Sequence, residues 1–151
     1  PATLMKVQPG QEAKGRRIIS ARTSMIMRKM FRLVVTEGTG KNADVPGFRI
    51  GGKTGTAEKA GVGGYSKTKN VSTFAAAFPM DAPRYVVIAM LDSPKGSATS
   101  FGQTTAAYTA APVVAKVIAR TGPMLGVFPD TSREVDLADM MPLLWKGKEE
   151  H

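Results

Sequence analysis

Gly51-Gly52-Lys53-Thr54-Gly55-Thr56-Ala57-Glu58-Lys59 (GGKTGTAEK) anchors the reading of this chain. Residues 48–56 read as a glycine-interrupted strand. Gly51, Gly52 and Gly55 remove side chains, so a second backbone can approach closely. A peptide can then dock by adding itself as a strand to this edge. Thr54 and Thr56 are two residues apart and point the same way. Two hydroxyls beside the Lys53 ammonium suit a carboxylate. Strict alternation, however, places Lys53 on the opposite face from both threonines.

The flanking sequence supplies a small α+β arrangement. Ser20 is a natural N-cap for a helix over 21–37. Ile26, Met30, Val34 and Met27, Phe31, Val35 form neighbouring helical stripes, with Arg28, Lys29 and Arg32 on the other side. Met25, Met27 and Met30 read as core filler. Gly38 is placed to stop the helix in a left-handed conformation. After the strand, residues 57–70 read as a glycine-rich loop. Residues 71–78 form a second strand, with Phe74, Ala76 and Phe78 on one face. Residues 79–83 are too short for a parallel crossover, so the strand over 85–91 returns antiparallel. That strand is apolar on both faces, which predicts cover on both sides of the sheet. Residues 103–120 have a helical period. Pro112 predicts a kink there, or a helix that begins near Ala110. The expected architecture is helix, three antiparallel strands and helix over 1–122, then an acidic tail over 123–151 in which Leu143, Leu144 and Trp145 can pack back.

Composition narrows the function classes. The chain has 151 residues, 42% of them apolar, enough for a real core. There is no cysteine, so no disulfide framework or thiolate metal site exists. The one histidine is His151, the last residue, which excludes a histidine-based triad. No apolar run approaches the roughly 20 residues that span a bilayer. The chain opens on Pro1 with no signal-peptide pattern, so it is expected to lie inside a longer protein. The net charge of +9 is uneven. Residues 1–122 carry 18 basic and 6 acidic side chains; residues 123–151 carry 3 and 6. A basic body attracts polyanions. It lacks the exposed aromatics of a nucleic-acid platform, so no nucleic-acid partner is expected.

Lys53-Thr54-Gly55 resembles the third signature of penicillin-binding proteins and serine β-lactamases. The longer KTGTAEK string is similar to class B, monofunctional, division-type D,D-transpeptidases. The likeness extends over residues 20–120: TEGTG at 36–40, Gly64-Tyr65, Phe78-Pro79, Ala82-Pro83-Arg84-Tyr85, Asp92-Ser93-Pro94-Lys95 and Ala110-Ala111-Pro112-Val113 follow in family order. The resemblance implies the C-terminal part of a transpeptidase domain whose parent is anchored in the bacterial inner membrane and works in the periplasm. Its substrates would be the D-Ala-D-Ala peptide stem of peptidoglycan and β-lactam antibiotics. Its partners would be the rest of the parent chain and cell-wall synthesis proteins. No cofactor or metal is implied. Lys53 would supply electrostatics, Thr54, Gly55 and Thr56 would bind substrate, the Thr56 N–H would help form an oxyanion hole, and Tyr65 would line the cleft.

Two family signatures are missing, the Ser-x-x-Lys nucleophile and Ser-x-Asn. Ser66-Lys67-Thr68-Lys69 spells the first, but it lies downstream of KTG with no helix after it, so it reads as a solvated basic loop. Phe101-Gly102-Gln103 stands where relatives carry an aromatic and paired glycines. The isolated chain is therefore expected to be inert. Two rival readings exist. GFRIGGKT at 47–54 fits a P-loop letter for letter, and VVIAMLD at 86–92 resembles its magnesium strand. A P-loop needs a helix starting at Lys-Thr, and Gly55, Gly61, Gly63 and Gly64 oppose one. The other rival, a basic polyanion-binding module, rests on charge alone.

Overall fold

The computed structural model describes residues 7, 8, 10, 11, 15–61 and 63–144. Helix α1 (Ala21–Thr36) begins where Ser20 Oγ accepts the Thr23 N–H at 3.0 Å. It ends as the N–H groups of Glu37 and Gly38 both donate to the Leu33 carbonyl, without a left-handed Gly38. That glycine is needed for space instead, since a Cβ there would lie 3.0 Å from the Val34 carbonyl.

Strands β1 (Gly51–Gly61), β2 (Gly64–Phe78) and β3 (Tyr85–Asp92) form one antiparallel sheet in the order β1-β2-β3. The α+β class and the three strands agree with the sequence reading, but the first strand does not keep its expected bounds. It starts three residues later, and the expected loop at 57–70 is instead the far half of a long hairpin. Gly63 (φ 91°) and Gly64 (φ 125°) accept the positive φ of a tight turn, and Gly61 is tolerated inside the strand. A register shift between Glu58 and Ala60 marks a bulge.

Register fixes the faces. Thr54 pairs with Phe74 and Thr56 with Ser72; these in turn pair with Ala89 and Leu91. Phe74, Ala76 and Phe78 turn inward and are buried, with Val87, Ala89 and Leu91 packed against the same cluster. Helix α2 (Ala110–Thr121) covers this face with Ala110, Ala111, Val114 and Ile118. It begins at Ala110, and Pro112 sits in its first turn, where the missing N–H has no helical acceptor to satisfy. Phe48 and Ile50 complete the core, with Phe48 edge-on to Phe78 at 6.4 Å.

Two packing expectations are corrected. The outer face of β3 is not covered among the described residues: Val86, Ile88 and Met90 are 65–70% exposed. Helix α1 follows its expected stripes only in part: Val35 is buried in the core, and Ile26, Phe31 and Val34 are half-buried. Met25, Met27 and Met30 are exposed, whereas Arg32, expected outside, is only 4% exposed. Arg32 is admitted because its guanidinium meets four acceptor atoms there, as described below. Trp145 and His151 lie outside the described residues, and Leu143 is exposed.

Candidate functional site: an unpaired strand edge

Strand β1 bonds only to β2, so its outer edge is unpaired among the described residues. The apparent conflict over Lys53 is resolved by the length of its side chain. Nζ bends back to donate to the Thr54 carbonyl at 2.9 Å and lies 3.3 Å from Thr54 Oγ1. The Thr54 carbonyl is thus an outward group. Amide and carbonyl of one strand residue point the same way and recur every second residue, so the Thr56 N–H is directed outward too.

Both threonine hydroxyls have their oxygens engaged. Thr54 Oγ1 lies 3.0 Å from Thr39 Oγ1, in addition to the Lys53 ammonium. Thr56 Oγ1 accepts the Ala106 N–H at 3.1 Å. The Thr56 oxygen, loaded by an amide, leaves its own proton free to donate. Thr54 shares a hydroxyl–hydroxyl hydrogen bond with Thr39 beside the Lys53 ammonium, so the edge offers two hydroxyls and a cation, groups that suit a carboxylate. Gly52 lets the strand lie flat on the core: a Cβ there would be 2.5 Å from the Ala75 carbonyl and 2.8 Å from the Phe74 ring.

Ala106 is positioned from β2. Buried Ser72 Oγ donates to the Thr104 carbonyl at 2.7 Å, and Asn70 Nδ2 donates to Thr104 Oγ1 at 3.0 Å. Sequence reading missed Ala106, Ser72 and Asn70, because nothing local announces a contact some fifty or thirty residues away. Thr39 was visible only as a letter of TEGTG. Tyr65 is not brought to this cluster. It pairs with Ala60 at the distal end of the hairpin and is 74% exposed, lining a shallow cavity with Lys59, Ser66 and Lys69. Lys59 itself is held by Asp92 at 2.7 and 3.0 Å. Its ammonium, then Ser93, holds the Asp92 carboxyl below the usual range.

The look-alike motifs are settled by backbone. Ser66 begins no helix; its Oγ accepts the N–H groups of Thr68 and Lys69 inside β2. Lys53 and Thr54 lie in a strand that continues to Gly61, so the P-loop reading fails for want of its helix.

Residues 3–119 match the penicillin-binding protein transpeptidase domain family. The chain belongs to that family. It is 46% identical over 136 residues to a protein named as a probable peptidoglycan D,D-transpeptidase FtsI of Caulobacter vibrioides, covering 84% of this chain and 23% of that protein. It is 40% identical over 129 residues to stage V sporulation protein D of Bacillus subtilis, covering 85% and 19%. The transpeptidase domain of Burkholderia pseudomallei penicillin-binding protein 3 superposes with a TM-score of 0.71 at 35% identity, over 83% of this chain and 37% of that one. Penicillin-binding protein 3 of Mycobacterium tuberculosis, solved with ampicillin, gives 0.66 at 31% identity, over 84% and 30%. The chain thus spans under a quarter of the length of these curated relatives. No helix among its described residues is long and apolar enough to cross a membrane.

Proposed function

We propose that this chain forms the carboxylate-binding wall of a peptidoglycan D,D-transpeptidase. The observation that carries this reading is the Lys53 ammonium beside Thr54 on an unpaired edge, with Thr56 two residues on. A peptide ending in D-Ala-D-Ala lies along β1 as an added strand. Its terminal carboxylate accepts hydrogen bonds from the Thr54 and Thr56 hydroxyls, and the bare Gly55 between them lets its backbone approach. The attacking serine comes from outside these 151 residues, in the rest of a longer parent held at the inner membrane and facing the periplasm.

In the proposed reaction the serine oxygen attacks the penultimate D-Ala carbonyl, and the C–N bond to the last D-Ala breaks. That residue leaves as a free amino acid. An amine from a neighbouring stem then displaces the serine ester, which forms the cross-link and returns the serine. The Thr56 N–H stabilises the oxyanion of each tetrahedral intermediate; a donor of this kind contributes about 3 kcal/mol. Lys53 supplies positive potential to the same space. β-Lactams enter by the same route, since their carboxylate matches that of the stem. Tyr65 is assigned to more distant parts of the substrate, as its place on the hairpin requires.

A fluorescent penicillin tests the proposal. In the full-length protein containing this chain, Lys53→Ala is expected to lower acylation at least about a hundredfold, and Ser66→Ala to leave it unchanged. Undiminished labelling of Lys53→Ala, or labelling that depends on Ser66, would remove this edge from the site.

A further inference from the structure

We infer that Arg32 and Glu134 together are positioning residues that set the start of the KTG strand; the inference rests on the reading of β1 as the site's wall. The Arg32 guanidinium is buried and bonds four acceptor atoms. Its Nη2 and Nε donate to Glu134 Oε2 and Oε1 at 2.6 and 3.0 Å. Its Nη1 donates to Asp44 Oδ1 and to the Ile50 carbonyl, each at 2.8 Å. Ile50 is the last residue before β1 and is itself completely buried. The next residue, Gly51, is pressed onto α1 at the same point: a Cβ there would lie 3.0 Å from the Arg32 amide nitrogen and 2.5 Å from the Met80 methyl. Beside the pairing of Gly51 with Ala77 of β2, the backbone at 50–51 is therefore held by the Arg32 side chain and by steric contact with the Arg32 backbone and Met80.

Glu134 is what keeps that side chain in place. A two-pronged carboxylate fixes the plane of a guanidinium and with it the headings of the remaining N–H groups. From Nη1 those headings are Asp44 Oδ1 and the Ile50 carbonyl, three residues before Lys53. Without Glu134 only Asp44 holds the Arg32 plane, and the donor to the strand start is fixed less tightly. Lys53, Thr54 and Thr56 lie on the free edge of the sheet, with no further strand to fix them. Their placement relative to a serine supplied from elsewhere then depends on where β1 starts. The segment bearing Glu134 has a second tie to the same stretch, as the Asp130 N–H donates to the Gly47 carbonyl and Arg49 donates to the Asp130 carbonyl. Its third tie, Asp139 to Lys29 at 2.6 Å, does not touch residues 47–51.

That third tie provides the control. In the full-length protein, Glu134→Gln and Arg32→Lys are expected to lower the acylation rate constant for a fluorescent penicillin about tenfold, since small misplacements of reacting groups are costly. Amide exchange measured by mass spectrometry should quicken over residues 50–56 and stay unchanged over β2 and β3. Asp139→Asn should alter neither. Acylation within twofold of the parent and unchanged exchange at 50–56 in both variants would overturn the inference. So would an equal loss in Asp139→Asn, which would mean that the segment merely adds stability. Should the unsubstituted protein take up no penicillin, the transpeptidase reading falls, and exchange at 50–56 alone decides whether Arg32 and Glu134 hold the strand.

Discussion

Lys53 shows how a single side chain escapes the rule that governs its backbone. Alternation assigns it to the face opposite Thr54 and Thr56, yet four methylenes carry the ammonium around the edge to the Thr54 carbonyl. Lysine suits that task because its charge is a point on a flexible stem. Gly52 illustrates the reverse case, a residue whose lack of a side chain is the requirement. Gly52→Ala is expected to destabilise the fold by about 2 kcal/mol through overpacking, because both the Ala75 carbonyl and the Phe74 ring are in the way. Urea denaturation of the two proteins checks this; equal midpoints would show that the strand shifts at no cost. At this scale the sequence set Lys53, Thr54 and Thr56 side by side, because they share one short stretch. It was silent on Ala106, which reaches Thr56 from fifty residues away.

The hairpin β1–β2 is where periodicity misled. Glycines at 61, 63 and 64 look like a loop, but only two of them take positive φ at the turn, and the strands continue on either side. Helix α1 was found with its cap, because Ser20 acts on its own neighbours. Ser20→Ala is expected to lower stability by about 1 kcal/mol, read as a fall in melting temperature; no change would show that water caps the helix equally well. The direction that α1 faces was legible only in part, since Val35 is buried as its stripe expects while Met25, Met27 and Met30 are exposed and Arg32 is inside. Its methionines and its basic residues offer two usable stripes, and the choice between them depends on acidic partners far along the chain.

At the scale of the whole molecule, charged residues of the C-terminal segment act as ties. Glu134 holds Arg32, Asp139 holds Lys29, and Arg133 bonds Asp81, which also holds Arg49. Burial pushes the Glu134 carboxyl up, but the hydrogen bonds from Arg32 and from the Val135 N–H outweigh it and hold it below its ordinary 4.5. A depressed carboxylate contributes stability that is fully present above its unfolded pKa and is lost as pH falls through the folded value. The stability gap between the parent and Glu134→Gln should therefore be constant above about pH 5 and close progressively below 4.5. Thermal melts from pH 3 to 7 check this; a gap that persists in acid would mean that the carboxylate charge is not what matters. Salt should weaken the exposed Lys29–Asp139 pair more than the buried Arg32 cluster.

The sequence by itself determined the α+β class, the antiparallel order, the cap of α1 and the identity of the KTG edge. These follow from spacing along the chain, and spacing is local information. The tertiary structure alone decided that Arg32 lies inside, that β3 leaves Val86, Ile88 and Met90 uncovered among the described residues, and that Thr39 and Ala106 engage the hydroxyls of Thr54 and Thr56. Each of these depends on which distant groups meet, and a hydrogen bond or ion pair across fifty or a hundred residues leaves no period in the sequence.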